Sequence, residues 1–223
     1  MSSDKVLSPF IEPKGYRPPV GAADLMERYT EGHRYLTRSC LERRRAPRLN
    51  APGANLSQSN WASAVIFESN LSGADFSLSK LQNVDLRRSK CVKTWFSLAD
   101  LTQADLREAD LSNAHFTGAK LSKARLRGAS LMGASLEGAD LQGADLELCD
   151  LRGVDLSRAR LGGVRLLGAR YDLATRWPIN FEPLLHGAVQ CDRMPEARQQ
   201  PRNPDPHPDH TPMPEPPPPS SSR

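Results

Sequence analysis

The sequence has few aromatic residues, few cysteines and no long apolar run. The cysteines argue against a disulfide-stabilised secreted protein, and the lack of apolar runs argues against a membrane-spanning one. Aromatic residues make up 6% of the 223 residues, and the four cysteines are irregularly spaced. Without an export signal ahead of them, such cysteines do not predict a disulfide framework, so a reducing cytoplasm is the expected location. No apolar run approaches the roughly 20 residues that a membrane-spanning helix needs. No membrane span is therefore expected.

The net charge of +4 comes mostly from the N-terminal quarter of the chain. Residues 1–55 hold ten Lys and Arg against six Asp and Glu, whereas residues 56–171 hold fifteen against thirteen. Arginine clusters can bind phosphate backbones. Four arginines within six residues more often form a solvated surface or linker, so nucleic acid is not the expected partner. These arginines are Arg43, Arg44, Arg45 and Arg48.

The dominant pattern is a repeat of five residues, and repeats decide the fold. From Leu56 to Tyr171 every fifth residue is apolar, and 20 of these 24 central residues are Leu or Phe. The residue two positions earlier is small, and it is Ala in 15 of the 24 units. The register continues without an insertion over this whole stretch. It extends backwards through Leu36 and Leu41, with weaker matches at Ala46 and Ala51.

Neither a helix nor a flat strand fits a period of five. On a helix the leucines would spiral around every face, and on a flat strand successive leucines would point to opposite sides. The pattern fits short extended pieces joined by corners, in which the central and the small residue face inward. Four such sides close a square coil of 20 residues, and stacked coils pair their backbones at about 4.8 Å.

Residues 20 positions apart should then lie next to each other in adjacent coils. Three phenylalanines with this spacing predict an aromatic column inside the coil: Phe76, Phe96 and Phe116. Outward residues on the following side alternate in charge: Lys80, Asp100, Lys120, Asp140 and Arg160. The side after that carries Asp85, Asp105, Arg125, Asp145 and Arg165. Exposed ion pairs contribute about 0–1 kcal/mol each, so the alternation is expected to set the register of the coils.

The repeated unit Ala-(Asp/Asn)-Leu-x-x resembles the pentapeptide-repeat family over about residues 34–171. The resemblance implies an all-β fold, a right-handed quadrilateral β-helix. Counted from Leu36, 28 units give about seven coils, which stack to about 34 Å. The segment before the repeat resembles the short helix that leads into such domains. The segment from Tyr171 to Pro183 is similar to one that closes many family members.

Five segments are therefore expected along the chain. They are an extended N-terminal segment (1–21), a capping helix (22–33), the pentapeptide-repeat β-helix (34–171), a C-terminal cap (172–194) and a Pro-rich disordered tail (195–223). Asp24 and Glu27 predict the start of the helix and Gly32 its end. Leu25, Met26 and Tyr29 are expected to cover the first coil. The expected cover of the last coil is Trp177, Phe181, Leu184 and Leu185.

The sequence does not predict an enzyme. The outward aspartates are repeat residues, no Gly-rich phosphate loop is present, and His115 is outward and alone. Cys91 and Cys149 fall at inward positions, so they are expected to be core residues rather than reactive thiols. His207 and His210 in the tail lack further ligands for a metal. No catalytic residue, cofactor or metal is expected.

One cluster of outward residues is unusual for a solenoid surface. Trp95 takes a position normally filled by Asp or Asn, and Leu78 and Leu98 are outward on the same side. Exposed apolar clusters mark contact surfaces. Either the N-terminal segment around Phe10 and Ile11 covers them, or they bind a partner or a second copy. A secondary candidate, for an acidic partner, is the like-charged column Arg87, Arg107 and Arg127, for which the alternative is a solvated surface.

The expected function is a non-enzymatic scaffold that binds an unidentified protein through one flat face. The alternative, implied by the resemblance, is a DNA mimic that binds DNA gyrase and protects it from quinolones. Such mimicry needs an acidic surface, whereas residues 56–171 carry +2 (fifteen minus thirteen). The chain also has no obvious apolar C-terminal dimerisation helix. The gyrase alternative therefore ranks second, and the oligomeric state is left open.

Overall fold

The backbone of the protein closes into a coil every 20 residues. The computed structural model describes residues 15–191, and predictions for residues 1–14 and 192–223 lie outside this range. Parallel single-residue bridges join residues 20 apart, and they recur at every fifth residue from Tyr35 to Arg170. Four bridges in each turn of 20 residues make a four-sided coil. The chain is thus a quadrilateral β-helix, as the five-residue period predicted.

In the described part of the chain, regular secondary structure is limited to four short elements. Helix α1 spans Ala22–Thr30, strand β1 spans Arg170–Tyr171, a 3-10 helix spans Pro183–His186, and strand β2 spans Val189–Gln190. The two strands are parallel, with Arg170 opposite Val189. Strands of two or more residues are rare because each side of a coil makes a single bridge before the chain turns a corner. Within residues 15–191 no helix is long and apolar enough to cross a bilayer.

Inward residues form one continuous core along the coil. The central leucines and the small residues two positions earlier are buried. The predicted aromatic column is present, since the ring of Phe96 stacks on Phe76 at 5.7 Å and on Phe116 at 5.0 Å. Trp61 meets Phe76 edge-on at 4.9 Å, and its indole N–H donates to Ser39 Oγ at 3.0 Å. The buried indole is therefore satisfied, as a polar group in a core requires.

The corners share a left-handed backbone conformation. The second residue after most central residues has a φ between 54° and 72°. Glycine adopts this conformation without strain, whereas a residue with a Cβ atom loses about 1–2 kcal/mol. Glycine fills many corners, among them Gly118 and Gly138. Other corners carry residues with larger side chains, which point to the surface, such as Leu78 and Leu98.

Helix α1 packs against the first coil, but it begins differently from the prediction. Gly21 precedes the helix without a side-chain cap. Asp24 lies in the first turn, where its carboxylate accepts the Val20 N–H at 2.9 Å. The helix ends at Thr30, three residues before the predicted bound, and Gly32 follows it with a φ of 94° and an N–H that donates to the Tyr29 carbonyl. Leu25 is fully buried, and Met26 and Tyr29 pack against the core.

The five-residue register ends at Tyr171. Asp155 pairs with Arg176, which is 21 residues away, because the chain contains one extra residue after Tyr171. Trp177 and Phe181 then pack on the core, as predicted. Leu184 and Leu185 do not cover the last coil, since they are 63% and 80% exposed. The prediction was wrong for these two leucines because the 3-10 helix turns them outward.

Candidate interaction surface

Leu78, Trp95 and Leu98 are exposed on one side of the β-helix, and we call them the leucine–tryptophan patch. Trp95 bridges Asp75 and His115 in the neighbouring coils. The three side chains of the patch are 55%, 38% and 63% exposed, respectively. The alternative cover for this patch, around Phe10 and Ile11, lies outside the described residues.

Both leucines of the patch lie at corners with a left-handed backbone. Leu78 has a φ of 61° and Leu98 a φ of 58°. A Cβ atom built on Gly118 would lie 2.8 Å from Leu98 Cδ2. The Leu98 side chain therefore extends over Gly118 in the next coil. A leucine at such a corner adopts a backbone conformation that favours glycine, and its side chain is not stabilised by burial in the core.

His115 completes the patch, and the prediction that it stands alone was wrong. Its ring stacks on Trp95, with centroids 3.9 Å apart and planes 17° apart. Burial lowers the pKa of the imidazole from its ordinary value, so the ring is neutral at neutral pH. The signal was present in the sequence, because residues 95 and 115 are 20 apart.

The arginine column is electrostatically compensated within the repeat. Arg87 donates to Asp85 at 2.7 and 2.8 Å. Arg107 makes the same pair of bonds to Asp105, both at 2.7 Å. Arg127 pairs with Glu147. The repulsion between like charges, from which an acidic partner was inferred, is therefore offset by nearby carboxylates.

The ion pair of Arg87 with Asp85 shifts the pKa values of both groups. Burial opposes ionisation of Asp85, but the hydrogen bonds from Arg87 hold the pKa of its carboxyl below the usual value. The same bond raises the pKa of Arg87.

A groove lies beside the arginine column. It has a volume of about 240 Å³ and is lined by Phe67, Glu68, Arg87, Arg88, Arg107 and Glu108. Arg88 pairs with Glu108 across the groove, and its other charged residues pair with partners beside it, so the groove presents little uncompensated charge.

Two further sets of residues bear on function. Cys91 and Cys149 are buried, as predicted, and burial raises the pKa of each thiol to about 12. No group of three or more His, Cys, Asp or Glu residues within residues 15–191 could hold a metal ion. The sequence interpretation missed Leu148, an exposed leucine at a corner of another side, with a φ of 59°.

Comparison with known proteins places the repeat in a family. The model for pentapeptide repeats matches residues 52–83, 96–131 and 129–168, in eight copies. No curated protein matches the sequence. Among solved structures, the pentapeptide repeat protein alr5209 from Nostoc PCC 7120 is 30% identical, over 79% of this chain and 100% of its own, with a TM-score of 0.33.

Two further solved structures are similar at lower identity. HetL, a pentapeptide repeat protein involved in heterocyst differentiation regulation in Nostoc sp. strain PCC 7120, is 23% identical. The match covers 76% of this chain and 92% of HetL, with a TM-score of 0.34. QnrB1, a plasmid-mediated fluoroquinolone resistance protein, is 18% identical over 70% of this chain and 91% of its own, with a TM-score of 0.36. Family members fold as right-handed quadrilateral β-helices. The repeat matches and the identity over the full length of the Nostoc protein show that this chain belongs to the pentapeptide-repeat family.

Proposed function

We propose that this protein is a non-enzymatic scaffold that binds another protein through the side carrying the leucine–tryptophan patch. The observation that supports it is the pair of exposed leucines at left-handed corners beside Trp95. Strained residues that neither fold nor solvation favours are concentrated at functional sites. Tryptophan is among the anchor residues of protein interfaces, and clusters of exposed apolar side chains mark contact surfaces.

The surroundings of the patch suit a protein partner. Apart from Asp75, the outward residues beside the patch, on the same side of the coils, are uncharged at neutral pH: Ser77, Ser97, His115 and Thr117. A partner would therefore remove few charges from water when it binds there, which keeps the desolvation cost low.

We extend the proposal to the organisation of the chain. The β-helix of residues 34–171 forms about seven coils that present this side as a flat surface. The helix of residues 22–33 and the segment 172–194 act as caps that cover the apolar interior at the two ends of the coil. The N-terminal segment of residues 1–21 and the Pro-rich tail of residues 195–223 are not part of the scaffold.

Binding to DNA gyrase is the alternative function. QnrB1 is a fluoroquinolone resistance protein, and a shared mode of action would require this chain to imitate an acidic duplex. The ion pairs argue against it, because carboxylates such as Asp85, Asp105 and Asp150 are held by arginines two residues away. A supercoiling assay tests the alternative, and protection of gyrase from a quinolone by this protein would support it.

Matched variants test the scaffold proposal. Trp95→Asp and Leu98→Asn install residue types that the repeat already uses at these positions, as Asp75 and Asn113 show. Leu148→Asn removes an equally exposed corner leucine from another side. Tagged wild-type protein and the Leu148→Asn variant should capture the same protein from native lysate, and the Trp95→Asp/Leu98→Asn variant should lose it. If all three folded proteins capture the same set, the patch is not the binding surface.

A further inference from the structure

Two neighbouring sides at the C-terminal end of the β-helix have an open backbone edge. In an interior coil, the bridging residue of a side makes two hydrogen bonds to the previous coil: the Asp140 N–H donates to the Ala119 carbonyl, and the Asp140 carbonyl accepts from Leu121. Arg176 plays this role on the side of Asp155, where it bonds Val154 and Leu156. Three sides further along the chain, at Arg170, Val189 of β2 donates to the Ala169 carbonyl.

No described residue closes the two sides between them. Within residues 15–191 the carbonyls of Ala159 and Val164 accept no hydrogen bond, and the N–H groups of Leu161 and Leu166 donate none. We call residues 159–166 the open edge. Such an edge is a template for an added strand.

The charges at this end are ordered by coil. The four bridges of the penultimate coil carry one aspartate on each side: Asp140, Asp145, Asp150 and Asp155. Each aspartate is bridged to an arginine of the last coil, and we call these four residues the arginine rim: Arg160, Arg165, Arg170 and Arg176. Arg165 pairs with Glu147 and lies 3.6 Å from Asp145, and Arg160 lies 3.9 Å from Asp140. Among the described residues, Arg160 and Arg165 have no bridge partner on their other side, which is the open edge.

A groove for inward side chains accompanies the open edge. It has a volume of about 370 Å³ and lies between the last coil and the C-terminal segment. Its walls include Leu161 and Gly163 on the coil and Ile179 and Phe181 opposite them. Small apolar side chains of an added strand would enter this groove, while the flanking residues remained outside.

We propose that the open edge binds an extended acidic segment of another protein by strand addition. The incoming strand would place a residue beside Arg160 and another, five positions later, beside Arg165. At these places the interior of the ladder uses aspartate beside arginine, so acidic residues five apart fit best. Their backbones would satisfy the open N–H and carbonyl groups of the edge.

Two other occupants fit less well. A second copy of the chain would bring its own arginine rim against this one, and like charges side by side are unfavourable. The chain's own tail has 11 prolines in residues 195–223 and no acidic residues five apart. Proline lacks the N–H that must donate to Ala159 and Val164.

The test uses the full-length protein and a labelled peptide with the sequence of residues 139–148, which carries aspartates five apart. A control peptide has lysine at both aspartate positions. The Arg160→Gln/Arg165→Gln variant removes the two charges, and Glu147 keeps its pair with Arg127. The control variant Lys80→Gln/Arg125→Gln removes two charges from the same columns in interior coils. Fluorescence anisotropy measures binding, and NMR measures amide exchange of Leu161 and Leu166.

We expect the aspartate peptide to bind the wild type and the control variant alike. Binding to Arg160→Gln/Arg165→Gln should be about fivefold weaker, the scale set by two exposed ion pairs. Exchange of the Leu161 and Leu166 amides should slow when the peptide is bound. The proposal is overturned if the peptide does not bind at millimolar concentration or if the lysine peptide binds as well. Unchanged amide exchange, or a dimer in which these amides are already protected, would also overturn it. The scaffold proposal is unaffected by this result, since the patch lies elsewhere.

Discussion

Replacement of Leu98 by asparagine separates a residue kept for contact from one kept for stability. Leu98 lies at a left-handed corner, and Asn113 occupies the equivalent corner of another side with a φ of 57°. Asparagine is one of the few residue types that visit this conformation readily. The variant therefore fits the backbone while it removes the apolar group from the patch.

Two opposing effects set the size of the change in stability. The left-handed conformation costs leucine about 1–2 kcal/mol, part of which asparagine relieves. Leu98 is 63% exposed, so the burial lost is about a third of the 1.5–3 kcal/mol that a fully buried leucine contributes. The free energy of unfolding should therefore change by less than about 1 kcal/mol. Leu101→Ala, on the next side, removes a fully buried side chain and should cost about 2–5 kcal/mol.

Urea unfolding followed by circular dichroism measures both variants against the wild type, with the midpoint and slope compared for each. Leu148→Asn serves as a second example of an exposed leucine at a left-handed corner, and it should also leave the midpoint nearly unchanged. If Leu98→Asn destabilises the protein as much as Leu101→Ala, Leu98 belongs to the core. The argument that it serves binding would then fail.

Three further predictions concern the core and the patch. Phe96→Ala removes the middle ring of the aromatic column and should lower the free energy of unfolding by about 3–5 kcal/mol; a loss below about 1 kcal/mol in urea unfolding would contradict the observed stacking. Because burial lowers the pKa of His115, its contribution to stability is present above the unfolded value and is lost as the pH falls through the folded one. His115→Phe, which keeps the stacked ring without the titration, should therefore lose less stability than the wild type between about pH 8 and pH 5, and equal losses would count against it. A thiol reagent should label the partly exposed Cys40 and Cys191 in the native protein and spare Cys91 and Cys149, whose pKa values are raised to about 12; mass spectrometry of the labelled peptides decides this.

The interior of the β-helix could be predicted from the sequence because its period is rigid. A five-residue unit with an inward Leu determines the side, and the 20-residue spacing places Phe76, Phe96 and Phe116 in contact. The same spacing also identifies the neighbour of Trp95. These predictions need only a repeated register, since the backbone of each coil is bonded to the next.

Contacts outside this register could not be derived in the same way. The ion pair of Asp85 with Arg87 joins residues two apart on the same outward face, and a search at spacings of 20 overlooks it. The tripeptide Asp-Leu-Arg at residues 85–87, 105–107 and 150–152 was the available signal. Beyond Tyr171 one extra residue breaks the period, so the directions of Leu184 and Leu185 depend on packing that no repeat specifies.

Charges alternate in sign from coil to coil along the column of Lys80, Asp100, Lys120, Asp140 and Arg160. The effect of deleting coils therefore depends on whether their number is odd or even. Deletion of a single coil that contains Lys120 would bring Asp100 beside Asp140, and like charges would meet at the new junction. Deletion of two coils, those of Lys120 and Asp140, would bring Asp100 beside Arg160 and preserve the alternation. The length of this β-helix can therefore change most easily in steps of 40 residues, although its structural unit is the coil of 20.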